Sequence, residues 1–375
     1  MYKISFLVEN ITPLFLSGAD NKTVELRPSA FKGMMRFWWR AVRAETETEK
    51  LWKEEARIFG AADEKIGRSR VRINLKWDKK KFEKQVKQDT KKWLKKDLKD
   101  YFGVQYLLYS VGLNIREFLL PGFEFEITLS CFDKEVLKKA IASFWCLIFL
   151  GGIGTRSRRG GGNLKVKYIK EGEEYLNGIK FTIDDNIERW FKENLDKVKQ
   201  LIGCKNKGSD YTSISKVTIL IFDSLNSWKK ALDKIGKCFR NFRNRKEPDY
   251  SFVKKYLLFG KTPNYIEKVE FGLPLSYRYK SLDYKSAIIE GANKERQRSA
   301  SPLIFKVIEV NKEFYPLIIL LNKPYLLPDE DKLKIRETTK KGEKQKAKIF
   351  SHVSDSQKII NDFLSTLPKC RRIDL

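Results

Sequence analysis

Residues 151–162 read Gly-Gly-Ile-Gly-Thr-Arg-Ser-Arg-Arg-Gly-Gly-Gly, and no regular element can run through them, because glycine weakens helices and strands alike. The segment has to be a loop. It stands between a stretch that patterns as a helix, 133–150, and one that alternates as a strand, 163–169. Glycines accept positive φ and let main-chain N–H groups approach an anion with no Cβ in the way, while Arg156, Arg158 and Arg159 add charge and forked donors. Phosphate is the expected ligand, with Gly152, Gly154, Gly160, Gly162 and the three arginines as its contacts. The segment is neither a Walker A loop, since no Gly-Lys-Ser/Thr follows, nor a dinucleotide fingerprint, since it follows a helix and precedes a strand. A flexible turn with solvated arginines is the plainer alternative.

Charge points the same way. The 375 residues carry 76 Lys and Arg against 48 Asp and Glu, a formal net charge of +28, and self-repulsion of that size calls for a polyanion. Nucleic acid is the leading partner. No apolar run approaches the 18 or so residues of a membrane span, no lipid-attachment terminus is present, and residues 1–9 do not resemble a signal peptide, so no membrane association and a cytoplasmic location are expected. With 42% apolar and 13% aromatic residues, the chain can build a core large enough for two domains. Abundant Lys and Glu with few Met and His hint at a thermophile.

The pattern along the chain gives an α+β fold. A strand at 3–8 is followed by a helix from Pro28 or Ser29, with an apolar stripe of Phe31, Met35, Trp38 and Val42. A strand at 71–77, a Lys-rich insertion at 78–99 with intermittent helix, a strand at 123–129, a helix capped by Asp133 and the strand at 163–169 complete a first set. The order strand, helix, strand, strand, helix, strand is that of a ferredoxin-like (RRM-like) unit, an antiparallel sheet backed by two helices. A helix follows on Ile187, Phe191, Leu195, Val198 and Ile202. Strands at 214–222, 266–275, 302–310 and 315–321, a basic helix at 226–243, a mobile loop at 336–348 and a helix near 355–367 give a second ferredoxin-like domain. The expected domains are 1–205 and 212–375, with helical insertions.

Three further basic constellations are candidates for RNA contact. On the first helix, the hydroxyl of Ser29 and the free first-turn N–H groups can hold a phosphate, and Lys32, Arg36, Arg40 and Arg43 recur along one side. A core helix with a solvated basic face weighs equally. The second patch, with Lys237, Arg240 and Arg243, interleaves Phe239 and Phe242, the composition of a single-strand binding surface or of an ordinary amphipathic helix. The third is Arg296 and Arg298, just before Ser301 and Pro302.

Catalysis finds little support. The single histidine, His352, leaves no His pair and no triad, and Asp20, in a turn, and Glu124 and Glu126, alternating on a strand, show no metal-ligand spacing. The five cysteines form no C-x-x-C pair and read as reduced core residues. No catalytic residue, metal ligand or small-molecule cofactor is assigned.

Several of these segments resemble a known family. Thr-Pro-Leu-Phe-Leu-Ser-Gly at 12–18, the run Arg-Phe-Trp-Trp-Arg-Ala at 36–41, Ile-Phe-Gly at 58–60 and the loop 152–162 are similar to the RAMP superfamily of CRISPR-associated proteins. Together with Phe-Gly-Leu-Pro at 271–274 and Arg-Ser-Ala-Ser-Pro-Leu at 298–303, they resemble the first RAMP subunit of type III-B (Cmr) effector complexes. That resemblance implies two ferredoxin-like domains and a non-catalytic role beside other RAMP subunits, holding the 3′ region of a guide RNA and nearby target RNA through backbone phosphates. Cleavage in such complexes is attributed to a different subunit. The alternatives are a metal-independent RAMP endoribonuclease that processes CRISPR precursor RNA, and a structural adaptor with negligible RNA affinity.

Overall fold

Alternation in the first strand is realised directly. β1 (Tyr2–Asn10) buries Ile4, Phe6 and Val8 completely, and Pro28, whose missing N–H would have no helical partner, stands at the start of α1 (Pro28–Arg43). The computed structural model describes the whole chain except residues 64–66, 206–208, 210, 324–325, 327–331, 339–346 and 353–355. After α1 come α2 (Thr48–Phe59) and β2 (Arg72–Lys76), then the Lys-rich stretch, which forms α3 (Lys79–Gln85) and α4 (Thr90–Lys96) around a short β3 (Val86–Lys87). Asp78 and Asp89 cap these two helices by accepting from the N–H groups of Lys81 and Lys92. α5 (Phe102–Leu108), β4 (Phe118–Leu119), β5 (Glu124–Cys131), α6 (Lys134–Phe149), β6 (Leu164–Glu171) and α7 (Ile187–Ile202) follow.

The first sheet has the order β2-β5-β1-β6 and is antiparallel throughout. With α1 and α6 between its strands, this is the ferredoxin-like order. α6 is apolar around most of its circumference because it is covered on every side: it packs on β5, β1 and β6, and also on α1 and α7. Trp145 and Trp190 are fully enclosed there, with ring centroids 5.5 Å apart.

The second half contains β7 (Ser213–Ile221), α8 (Trp228–Arg243), α9 (Asp249–Phe259), β8 (Leu275–Tyr279), β9 (Lys285–Gly291), β10 (Leu303–Val310), β11 (Glu313–Asn322), β12 (Lys332–Glu337), β13 (Ala347–Ser351), α10 (Ser356–Ser365) and β14 (Arg371–Asp374). Its sheet β10-β11-β7-β14 repeats the strand order of the first, with α8 and α10 in the corresponding places along the chain. A third sheet, β13-β12-β9-β8, is built from the segments inserted between those elements.

Two compact units result, interleaved in sequence. One comprises residues 1–237, 304–322 and 369–375; the other comprises 238–303 and 323–368. Within the first unit both ferredoxin-like sheets share one core, with α1 packed on α6 and on β7, and α7 packed on α6 and on β14. Each sheet still comes wholly from one half of the chain. The second unit has its own core of Val253, Tyr279, Ile289, Leu333 and Ile335 around the third sheet.

Four expectations need correction. Residues 266–275 are not a strand: 267–271 wind into a 3₁₀ turn, because the buried carboxylate of Asp249 accepts from the N–H groups of Glu267 (2.8 Å) and Lys268 (3.1 Å). The strand starts only at Leu275. Within 336–348, the ends belong to the antiparallel pair β12 and β13, and 339–346 lie outside the described residues. Of the five cysteines, none of which is in a disulfide, Cys131 and Cys146 are buried, whereas Cys204, Cys238 and Cys370 are partly exposed. Finally, Phe239 and Phe242 do not offer faces to bases. They are 1% and 6% exposed and pack edge-on against Phe271 and Phe363.

Candidate nucleic-acid interface

The loop 151–162 is bound tightly to its own chain. The N–H groups of Ile153, Thr155, Arg159, Gly161 and Gly162 donate to the carbonyls of Gly162, Phe15, Arg156, Arg156 and Pro13, at 2.7–3.1 Å. Much of the expected anion cradle is therefore already spent on protein. The glycines have a packing reason. At Gly162, φ is +62° and a Cβ would lie 1.9 Å from the Ile153 carbonyl oxygen; at Gly154, φ is +84° and a Cβ would lie 2.5 Å from that of Phe15. Gly152 and Gly160 are buried, Gly160 against the Leu232 side chain.

The arginines behave differently. Each guanidinium lies over an aromatic ring: Arg156 over Tyr109 at 5.0 Å, Arg158 over Phe37 at 5.0 Å and Arg159 over Phe305 at 5.2 Å. The face of an aromatic ring attracts a guanidinium electrostatically and restricts where its side chain can go. Arg156 also donates from Nε to the Leu107 carbonyl at 2.7 Å. Burial pushes the Arg158 guanidinium down to about 10, so it stays charged at neutral pH. Because Phe37 lies on α1, and Gly151 packs against the Trp38 indole, the loop and the first helix come together.

On α1 the basic stripe is largely neutralised. Glu55 of α2, its side chain 3% exposed, accepts from Arg36 Nε and, at 2.6 Å, from Arg40 Nη1. Arg43 forms a fork with Glu54 at 2.6 and 2.9 Å and also reaches the Gly203 carbonyl. Ser29 is exposed on the first turn, and Lys32 is half-buried, its ammonium destabilised by burial and then by the Arg36 charge. The acidic partners on α2 were missed at the sequence level. Their signal was the pair Glu54-Glu55 one helix away from three arginines at helical spacing.

A family model described as the RAMP superfamily matches residues 7–165, a span that runs from β1 through α1 and the glycine-rich loop into β6. The CRISPR system Cmr subunit Cmr1-2 of Pyrococcus furiosus is 34% identical over 190 residues, which cover 46% of this chain and 98% of that protein. The chain belongs to the RAMP superfamily. A second curated relative of this RAMP protein, the CRISPR system Cmr subunit Cmr1-1 of the same organism, is 28% identical over 338 residues, 85% of this chain and 87% of the other. The fold matches a crystal structure of Cmr1 from Pyrococcus furiosus in its apo form with a TM-score of 0.63 and 22% identity, covering 100% of this chain and 98% of that one. It also matches a chain of the type III-B Cmr-beta complex bound to cognate target RNA, with a TM-score of 0.54 and 16% identity over 86% and 94% of the two chains.

The remaining candidate residues of the RAMP protein stand on other elements of the chain. Lys237, exposed near the middle of α8, pairs with Asp233 at 2.6 Å. Arg240 is half-buried on the same helix, and Arg243 lies over the rings of Phe239 and Phe271. Arg296 and Arg298 are exposed in the second unit. Asp20 serves its own turn: its carboxylate accepts from the Thr23 hydroxyl and from the N–H groups of Lys22 and Thr23, which hold it below the usual carboxylate range. Glu124 and Glu126 pair with Lys167 and Lys170 on the wet face of the sheet. His352 is buried against Glu270, 3.2 Å away. Among the described residues no group of three or more His, Cys, Asp or Glu side chains could hold a metal ion, and no helix is long and apolar enough to cross a membrane.

Proposed function

We propose that this RAMP protein is a non-catalytic RNA-binding subunit of a type III-B CRISPR (Cmr) RNA-silencing complex, working in the cytoplasm beside other RAMP subunits. It contacts the 3′ region of a guide RNA and nearby target RNA mainly through phosphates. The observation that carries this reading is the fixing of Arg156, Arg158 and Arg159 on three aromatic rings in one loop. A pre-oriented guanidinium loses less side-chain freedom when it meets a phosphate. The likeness to Cmr1 proteins and the net charge of +28 support it. Sequence is left to base pairing between the two RNAs, so binding is tight and sequence-tolerant. The two ferredoxin-like sheets, each drawn from one half of the chain, fit two consecutive domains at 1–205 and 212–375.

The test replaces Arg156, Arg158 and Arg159 together by Ala and titrates RNAs of different sequence over a range of salt. Affinity should fall similarly for all of them, and the slope of log K against log salt should drop by about 0.7 for each phosphate no longer neutralised. An unchanged affinity and slope would remove the loop from the interface, and site-specific cleavage of a labelled CRISPR precursor RNA would overturn the non-catalytic reading.

A further inference from the structure

The first unit carries a second cationic surface that the reading above does not use. An open cavity of about 860 Å³ lies where the end of α2, residues 68–72 and the turn between β5 and α6 meet. Its volume is in the range that admits one nucleotide. Two large aromatic side chains stand in its wall and are left to solvent, Trp52 at 41% exposure and Phe132 at 72%. Around them are Arg57, Arg68, Arg70 and Arg72, which outnumber the carboxylates of Asp63 and Asp133 in the same wall.

The arginines divide into two kinds. Arg70 lies 3.6 Å from Asp133, and Arg72 lies over the Phe132 ring at 5.9 Å, so both are engaged. Arg57 and Arg68 are exposed and make no ion pair among the described residues. An anion in the cavity would therefore meet two uncommitted guanidinium groups beside two exposed rings. Phosphate alone would explain the charge but not the aromatics; an apolar ligand would explain the reverse. A nucleotide accounts for both, since it joins a charged phosphate to a flat π-face. Its base has to be unpaired, because a base inside a duplex has both faces covered.

Position makes this a separate site. The cavity lies at the N-terminal end of α6, whereas the loop 151–162 begins beyond its C-terminal end, and the sixteen residues of that helix span about 24 Å. The helix terminus itself adds nothing, because Asp133 already accepts from the N–H groups of Glu135 and Val136.

We propose that this cavity takes one unpaired nucleotide of an RNA strand, its base against Trp52 and Phe132 and its phosphate on Arg57 and Arg68. The proposal rests on the RNA-binding reading of the chain. Both are separated by measuring the affinity of the full chain for a labelled twelve-residue oligouridylate and for a duplex RNA of equal length. The proteins compared are the wild type, Trp52→Ala with Phe132→Ala, Arg57→Gln with Arg68→Gln, and the triple loop variant.

The aromatic pair should lose about tenfold or more for the single strand, little for the duplex, and keep the wild-type salt slope. The Arg57/Arg68 pair should lower that slope by about 0.7, the share of the one phosphate that the two guanidinium groups neutralise. Both pairs are exposed, and matching thermal melts will show that they leave the fold intact. A wild type that binds neither RNA overturns the RNA-binding reading and this site with it. A wild type that binds, with an aromatic variant that binds the single strand equally well or loses as much for the duplex, overturns the cavity alone.

Discussion

Lys306 Nζ donates to the main-chain carbonyl of Gly151 at 2.6 Å, and none of the Lys306 side chain meets solvent. A single neutral acceptor does not offset the loss of water around an ammonium, and burial pushes this group down to about 7. Between pH 7 and the ordinary lysine value of about 10.4, the unfolded chain binds a proton that the folded chain does not. Stability contributed at this site therefore rises with pH through that window, and below it the desolvation penalty is present in full. Urea unfolding at several values from pH 7 to 9.5 should show wild type gaining a few kcal/mol relative to Lys306→Met. Parallel pH dependences for the two proteins would refute the assignment.

Glu55 is expected to be a stability residue whose loss frees cations. Its carboxylate serves Arg36 and Arg40, which are 31% and 37% exposed, so removing it costs less than breaking a fully enclosed pair. Glu55→Gln should destabilise by about 1–3 kcal/mol while leaving RNA affinity equal or higher, because two guanidinium groups are released. Arg36→Ala and Arg40→Ala should lower the melting temperature more clearly than they weaken RNA binding. A large affinity loss in either, with stability unchanged, would restore the phosphate role read from the sequence.

Two glycines should respond in opposite directions. Gly33 lies exposed within α1, and a Cβ there would meet nothing within 4 Å, whereas the same atom at Gly162 would sit 1.9 Å from a carbonyl oxygen at positive φ. Gly33→Ala should raise stability by up to about 1 kcal/mol. Gly162→Ala should lower it by more than about 2 kcal/mol or prevent folding. Thermal melts of the two variants decide both, and tolerance of Ala at position 162 would mean that the loop is far less constrained.

The elements legible in the sequence were those whose burial is one-sided. β1, α1, α6 and α7 follow their apolar periods, and Asp133 caps the helix that it was expected to cap. α2 and α9 escaped notice for different reasons. In α2 the acidic residues that look like a solvated face point at arginines of another helix, so their meaning exists only after packing. The 267–271 turn, reached from α9, depends on a carboxylate eighteen residues away, which no local pattern displays. The same limit applies to the site. Glycine content announced a loop with positive φ, but whether its N–H groups face an anion or Pro13 and Phe15 is decided by a segment far off in the chain.

A last prediction concerns the packing that holds α5 to α8. Gly103 and Gly236 meet backbone to backbone: a Cβ on Gly236 would lie 2.5 Å from the Gly103 carbonyl oxygen, and Asp233 Oδ1 accepts from the Gly103 N–H at 2.7 Å. The same carboxylate pairs with Lys237. Gly236→Ala should be the most damaging change, since the clash is with main chain and cannot be relieved by a rotamer. Asp233→Ala leaves a buried N–H without its acceptor and should cost about 1–3 kcal/mol. Asp233→Asn keeps an acceptor and gives up only a surface ion pair, so it should cost below about 1 kcal/mol. Both Asp233 variants release Lys237, so RNA affinity should hold or rise as stability falls. If affinity instead falls in step with stability across the series, then Lys237 binds RNA only when Asp233 positions it, and the pair, not the lone lysine, is the functional unit.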